Sequence, residues 1–292
     1  MSKIPKKIHP DFQDEFFLNL ENILVPIGGN SFECMGLELA FFIAHEYGAK
    51  IDLLHVGKSV GDYIEKYMKK LKKFEIEYEL KVIKSKNVPK TIIEYWKKKR
   101  HNLVIMSGRR RPTIFDKMTI QSISSSVIPY IDTEVLQVFP PSIKKISDKL
   151  KEIAVLLPYS DRDPFLLRWA SAIASPQKGA KVKIYHISEV PDIVPLEGAK
   201  HEKEIKKEQQ QFNQYIDNYS QIFGFGQIIE PKFIIGHKVV KSLEFIFGKY
   251  EPDLVIIGKS KPKNIWEKIS KPLSRKIRDK LLETGVCIHY MM

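Results

Sequence analysis

The stretch Gly48-Ala-Lys-Ile-Asp-Leu-Leu-His55-Val56 returns later in the chain as Gly179-Ala-Lys-Val-Lys-Ile-Tyr-His186-Ile187, at an offset of 131 residues. A second match, Leu103-Val-Ile-Met106 with Leu254-Val-Ile-Ile257, follows in the same order at an offset of 151. Ordered matches of this kind indicate an internal repeat. Because the offset grows from 131 to 151, the second repeat is predicted to carry twenty additional residues between its second and fourth strands.

Each repeat alternates apolar runs with amphipathic helical segments. The run Asn22–Ile27 is continuously apolar after its first residue, which is typical of a strand buried on both faces of a parallel sheet. The predicted strands are 22–27, 51–56, 78–84, 103–107 and 134–139 in the first repeat, and 153–158, 181–187, 228–235, 254–258 and 286–291 in the second. This alternation predicts an α/β chain of two tandem doubly wound parallel five-stranded sheets, Rossmann-like and ordered 3-2-1-4-5.

The repeat divides the chain of 292 residues into segments. We expect an N-terminal arm over 1–20, a first domain over 21–140 (copy one), a linker over 141–151 and a second domain over 152–292 (copy two). The additional length of copy two is a predicted helical insertion over 196–223, whose first half is almost wholly polar and is predicted to project beyond the core.

Composition excludes several classes of protein. The chain is 43% hydrophobic, which is too much for a disordered chain. Its longest apolar stretch falls far short of the roughly 20 residues of a membrane span. The N-terminus has lysines but no apolar core of a signal peptide, so we expect a cytoplasmic location. Cys34 and Cys287 lie far apart and outside any metal-ligand spacing, so neither a metal site nor a disulfide framework is expected.

The formal net charge is +13. The excess of basic over acidic residues is +7 in residues 1–145 and +6 in residues 146–292, with no basic tail. Such an even excess favours anionic partners in general over a dedicated nucleic-acid arm, and no nucleic-acid partner is expected. The lysines of 66–73 are interpreted as a solvated helix face.

A ligand site is predicted at one edge of each sheet. In doubly wound sheets ligands bind outside the carboxyl ends of the strands, where the strand order reverses. With the order 3-2-1-4-5 this point lies between strands one and four. The relevant segments are 28–31 with 107–111 in copy one, and 159–161 with 258–261 in copy two.

At this level of detail each copy resembles a universal stress protein domain, and the chain resembles a tandem universal stress protein. The resemblance is carried by Ile23-Leu-Val-Pro-Ile27 with its small-residue turn, by 48–56 and by 103–108. Nucleotide-binding members of that family place Gly-x2-Gly-x9-Gly-Ser/Thr after strand four. The corresponding positions here are Gly108, Arg111, Gln121 and Ser122, of which only Gly108 and Ser122 match. The Asp that touches the nucleoside in the family is replaced by Gly28.

The resemblance implies a weakened site for ATP or AMP in copy one, without a metal. The expected binding residues are Pro26, Gly28, Gly29, Asn30, Val56, Gly108, Arg109, Arg110, Arg111, Gln121 and Ser122. The arginine run has two open interpretations, an anion clamp or a solvated basic loop. Ser122 is interpreted as a phosphate contact at the start of a helix predicted over 119–130, and Ser124, Ser125 and Ser126 as ordinary capping residues.

In copy two the family motif falls on Gly258, Lys261, Lys271 and Pro272, and only Gly258 matches. Tyr159 is assigned the place of the nucleoside-contacting Asp. Copy two is therefore interpreted as a degenerate domain kept for packing. His55 and His186, which end the second strand of each copy, are interpreted as packing residues rather than as bases.

Three functions remain open from sequence. The first is a non-enzymatic stress-response regulator with the weakened nucleotide or anion site in copy one and with its two copies packed as a pseudo-dimer, as the resemblance implies. The second is a ligand-free adaptor, with a protein partner or as a homodimer, or a soluble relative of transporter-associated stress-protein domains. The third, an enzyme of the wider adenine-nucleotide α/β superfamily, has the least support, because neither switch point offers an evident base or carboxylate cluster.

Overall fold

The computed structural model describes residues 20–28, 34–108, 123–139, 150–190, 199–223, 228–258 and 286–291. These residues fall into two compact units, one containing 20–139 and the other 150–258. Within these described ranges, no helix is long and apolar enough to cross a membrane.

The first unit is a parallel sheet with helices between its strands. In chain order its elements are β1 (Asn22–Ile27), α1 (Cys34–Tyr47), β2 (Lys50–Val56), α2 (Asp62–Lys73), β3 (Tyr78–Ile83), α3 (Val88–Lys99), β4 (Leu103–Ser107), α4 (Ile123–Val127), a 3-10 turn (Ile128–Tyr130) and β5 (Glu134–Phe139). The strands are ordered β3-β2-β1-β4-β5, and all of their pairings are parallel. The predicted strand order is confirmed.

The core of this unit follows from the apolar runs. Ile23, Leu24 and Val25 in β1 are buried, as are Leu103 and Val104 in β4. A central strand with buried side chains on both faces accounts for a nearly continuous apolar sequence. Gly48 directly follows the last residue of α1, and its φ of 69° is a conformation that glycine adopts without strain. Its repeat equivalent, Gly179, has a φ of 80° in the turn before β7.

The second unit repeats the same order of elements. They are β6 (Glu152–Leu156), α5 (Asp163–Ala174), β7 (Lys181–Glu189), α6 (Ala199–Phe223), β8 (Ile229–Gly236), α7 (Val239–Lys249) and β9 (Leu254–Gly258). A further strand, β10 (Val286–Met291), follows later in the chain. Within the unit the strands are ordered β8-β7-β6-β9, with parallel pairing. This is the 3-2-1-4 order of the first unit.

The predicted insertion is a single long helix, α6. The side chains of its first half are mostly exposed, in agreement with their polar sequence. Its second half packs onto the unit through Phe212, Tyr215, Ile216 and Tyr219, all buried. The helical period of apolar residues in the sequence therefore identifies the face that packs.

Candidate functional site

The carboxyl ends of β1 and β4 lie side by side, because β1 pairs with β2 on one side and with β4 on the other. This is the predicted switch point of copy one. Four of the predicted site residues lie at this edge: Pro26 and Gly28 at the end of β1, Val56 at the end of β2, and Gly108 directly after β4. The others, Gly29, Asn30, Arg109, Arg110, Arg111, Gln121 and Ser122, lie outside the described residues.

His55 joins the ends of β1 and β2. It pairs in register with Ile27, and its Nδ1 lies 3.2 Å from the Ile27 carbonyl oxygen. A carbonyl oxygen only accepts hydrogen bonds, so Nδ1 carries the proton and donates it. The ring is buried, as expected for a packing residue. This bond also leaves Nε2 as an acceptor when the imidazole is neutral.

The end of β1 is held by helix α2. The Tyr63 hydroxyl donates a hydrogen bond to the Gly28 carbonyl oxygen at 3.1 Å. This contact fixes the backbone at Gly28, which directly follows β1. It could not be predicted from the motif, because Tyr63 belongs to an element remote from it in the sequence.

Gly108 has a packing explanation. A Cβ at this position would lie 2.1 Å from Cε1 and 2.5 Å from Cδ1 of Phe139, a ring that is only 1% exposed. The backbone N–H of Gly108 donates to the Val138 carbonyl at 2.7 Å, which keeps it close to β5. The ring of Phe139 is therefore a sufficient packing reason for a glycine at 108.

The helix predicted over 119–130 is described from Ile123 onwards. Its described part is α4 (Ile123–Val127), which continues as the 3-10 turn. Ser124 is buried within α4, and its hydroxyl accepts a hydrogen bond from Gln137 Nε2 of β5 at 2.8 Å. Ser122, the predicted phosphate contact, lies outside the described residues.

The strand pairings show which residues of the two copies are equivalent, and they differ by one residue from the equivalences predicted from the motif. Ile23 pairs with Leu103, and Ile153 pairs with Leu254. Counting from these pairs, Gly28 corresponds to Pro158 and Gly29 to Tyr159, so the assignment of Tyr159 to the place of the family Asp was wrong. Likewise Gly258 corresponds to Ser107 and not to Gly108. Loop residues cannot be aligned reliably by motif alone, whereas strand register is set by hydrogen bonds.

The corresponding edge of copy two is filled by aromatic side chains. His186 Nδ1 donates to the Leu157 carbonyl at 2.9 Å, as His55 does to Ile27. The ring of Tyr159 lies on this histidine with 3.8 Å between ring centroids and a tilt of 37°. Phe212 and Tyr215 of α6 meet Tyr159 edge-on at 6.2 and 5.6 Å. Burial lowers the pKa of His186, which favours its neutral form.

Polar contacts hold α6 against this edge. The Ser188 hydroxyl donates to Glu208 at 3.0 Å, and the other oxygen of Glu208 lies 3.9 Å from His186 Nε2. The Tyr215 hydroxyl donates to Asp163 at 3.4 Å. The described part of copy two is therefore closed by its own residues at the edge where doubly wound sheets bind ligands.

Asp163 is the fully buried acid of this edge. Its carboxylate accepts a hydrogen bond from the Ser160 hydroxyl at 2.9 Å, in addition to the one from Tyr215. Burial raises the pKa of the carboxyl to about 7, against an ordinary value of 3.8. In the described ranges no group of three or more His, Cys, Asp or Glu residues is placed to hold a metal ion.

The chain is similar over nearly its whole length to solved structures. A protein of unknown function from Pseudomonas aeruginosa PAO1 has a TM-score of 0.62 at 14% identity, with 94% of this chain and 93% of that one covered. A universal stress protein from Archaeoglobus fulgidus DSM 4304 has a TM-score of 0.58 at 14% identity, with 92% and 95% covered. The cytoplasmic domain of a prokaryotic cation chloride cotransporter has a TM-score of 0.62 at 14% identity, with 93% and 95% covered.

No model of a protein family and no curated protein matches the sequence. Identities of 14% carry information on fold alone. The coverage of both chains is nearly complete, so the similarity extends over both α/β units of this chain. The expected resemblance is thus confirmed at the level of structure, and the chain has the fold of a tandem universal stress protein.

Proposed function

We propose that the chain is a non-enzymatic cytoplasmic regulator of the universal stress protein type, with a weak adenine-nucleotide site in copy one and a structural copy two. The observation that carries this proposal is the difference between the two carboxyl edges. In copy two the Tyr159 ring covers His186, and α6 packs on top. In copy one the corresponding turn is Gly28-Gly29, which brings no side chain to that edge.

The binding chemistry is assigned to the loop after β4. Arg109, Arg110 and Arg111 follow Gly108 directly in the sequence, and Gly108 lies at the switch point. Arginine pairs with phosphate through two parallel hydrogen bonds, and it is always charged. Gly28 lacks the carboxylate that the family uses on the nucleoside. Binding is therefore expected to be dominated by charge, weak, and reduced by added salt.

Thermal unfolding in low salt tests this proposal. AMP at about 100 times its dissociation constant should stabilise the chain by about 2.7 kcal/mol. At roughly 2–8 °C per kcal/mol, this stabilisation should raise the melting temperature by several degrees. Replacing Arg109, Arg110 and Arg111 together with alanine should abolish the shift, because the phosphate then loses its three cations.

The matched control lies in copy two. Lys259→Ala with Lys261→Ala removes two charges just after β9 in the sequence, and the AMP-induced shift in melting temperature should stay as in the unmodified chain. A melting temperature that does not respond to millimolar AMP in low salt would contradict the nucleotide site, and the ligand-free adaptor would then be the better hypothesis.

The packing of the two copies as a pseudo-dimer stays a prediction.

A further inference from the structure

The two helices that flank β3 in the sequence of copy one both end in lysines. The last turn of α2 contains Lys70, Lys72 and Lys73, and the last turn of α3 contains Lys97, Lys98 and Lys99. The corresponding helices of copy two are α6, whose last turn has no basic residue, and α7, whose last turn has only Lys249. Since copy two forms the same fold without them, these lysines are a feature of copy one and not a requirement of the fold.

The topology brings the two lysine clusters to the same edge of the sheet. The chain enters β3 shortly after α2 ends and enters β4 shortly after α3 ends, and both strands belong to one parallel sheet. Both helix ends therefore lie at its amino edge, where the strands begin. Lys99 Nζ lies 3.4 Å from a carboxylate oxygen of Glu79 in the first turn of chain of β3, which joins the end of α3 to this strand. The amino edge lies opposite the carboxyl edge to which the nucleotide site is assigned.

Several charges at this edge have no partner within the protein. In the part of the chain that the structure describes, the exposed lysines of these two last turns without an acidic side chain at ion-pair distance are Lys72, Lys73, Lys97 and Lys98. Two of the three nearby glutamates are already paired, Glu77 with Lys50 and Glu79 with Lys99, which leaves Glu75. The edge therefore presents an excess of positive charge to an anionic partner.

An exposed aromatic side chain lies among these lysines. Phe74 directly follows α2 and is 44% exposed. Its ring meets Phe41 of α1 edge-on, with 5.1 Å between ring centroids, and Lys73 Nζ lies 5.7 Å from its centroid. Lysines attract anionic headgroups, and an aromatic ring beside them enters the boundary between headgroups and acyl chains. Lysine is a point charge and not the planar fork that reads nucleic acid bases, so the composition favours a lipid surface.

We propose that the amino edge of copy one binds reversibly to the surface of anionic membranes, through Lys72, Lys73, Lys97 and Lys98, with Phe74 in the headgroup region. The chain lies on the membrane and does not span it, because the interaction uses the ends of two helices and one exposed ring. The proposal goes beyond the function proposed above and does not depend on it, since the nucleotide site is assigned to the opposite edge of the sheet.

Sedimentation of the full chain with lipid vesicles tests this proposal. Vesicles of phosphatidylserine and phosphatidylcholine in equal parts should bind the chain, and vesicles of phosphatidylcholine alone should not. Replacing Lys72, Lys73, Lys97 and Lys98 together with glutamine should weaken binding at least about a hundredfold, because each lysine near an anionic surface contributes about fivefold. Phe74→Ala should weaken it by about fivefold. Circular dichroism would verify that each variant is folded.

The control replaces four exposed lysines at the carboxyl edge of copy one with glutamine, Lys58, Lys84, Lys86 and Lys90. The two edges are about 20 Å apart, the length of a six-residue strand such as β3. This is about twice the Debye length in 0.1 M salt, so the control should change vesicle binding by less than about threefold.

Equal losses in the two fourfold lysine variants would overturn the assignment to the amino edge, because they would indicate attraction by charge in general. No loss on Phe74→Ala would overturn the insertion of this ring. If the unmodified chain does not bind the anionic vesicles, the proposal is overturned, and binding of a single-stranded RNA in the same salt would then identify nucleic acid as the partner of this edge.

Discussion

The substitution Gly108→Ala should destabilise the chain by about 1–3 kcal/mol, the usual range for overpacking a filled core. The added methyl group would lie 2.1 Å from the ring of Phe139, which is buried on all sides and cannot turn away. The φ of Gly108 is not positive, so the expected loss comes from the contact and not from backbone strain. Urea unfolding monitored by circular dichroism would measure this loss.

Gly258→Ala is the matched control, since it adds the same methyl group at the end of the fourth strand of the other copy. Its nearest neighbour would be a methyl carbon of Leu166 at 3.3 Å, which a small rotation can relieve. We expect a change below about 1 kcal/mol. In a chain that already carries Phe139→Leu, Gly108→Ala should lower the free energy of unfolding by less than it does in the unmodified chain. The reason is that the ring with which the added methyl group collides is then absent. Equal losses at Gly108 and Gly258 would refute the packing explanation.

Asp163→Asn should change how stability depends on pH. The Asp163 carboxyl of the folded chain has a pKa of about 7, whereas the unfolded chain releases this proton near 3.8. Between these values the folded state binds more protons than the unfolded state, so the contribution of Asp163 to the free energy of unfolding falls as pH rises from about 4 to 7 and is constant above 7. The difference between the two pKa values corresponds to about 4 kcal/mol at most.

Asparagine does not titrate, so the variant should gain stability relative to the unmodified chain as pH rises through this window. Urea unfolding between pH 4 and pH 8 would measure the difference. Asp161→Asn, which changes an exposed carboxyl two residues away, should leave the pH dependence unchanged. Parallel pH profiles for the unmodified chain and Asp163→Asn would show that the carboxyl does not titrate as inferred.

Much of the fold could be predicted because short stretches of the sequence determine where its strands and helices begin and end. The strands Asn22–Ile27, Leu103–Ser107 and Glu134–Phe139 have the bounds expected from their apolar runs. The end of α1 at Gly48 could be predicted because a glycine follows the last residue of the helical pattern. Gly48 indeed has the left-handed φ that is common just after a helix. The strand order followed from the alternation of strands and helices together with the general topology of such sheets.

The site was less predictable because its decisive contacts join residues far apart in the chain. Tyr159 lies between β6 and α5, His186 in β7 and Phe212 in α6, and no local sequence pattern predicts that their rings are in contact. The contact of Gly108 with Phe139 joins the ends of two neighbouring strands, and the glycine motif gives no indication of it. The predicted equivalence of Gly28 and Tyr159 was wrong by one residue. Residues beyond the strand ends can be matched between the copies only by counting from the strand pairs.

The proposal of one nucleotide site in copy one and a closed edge in copy two has a direct numerical consequence. Titration calorimetry of the full chain with AMP at low ionic strength should give a stoichiometry of one AMP per chain. The same titration should give no binding after alanine replaces Arg109, Arg110 and Arg111. A stoichiometry of two, or the absence of binding at millimolar AMP by the unmodified chain, would contradict the proposal.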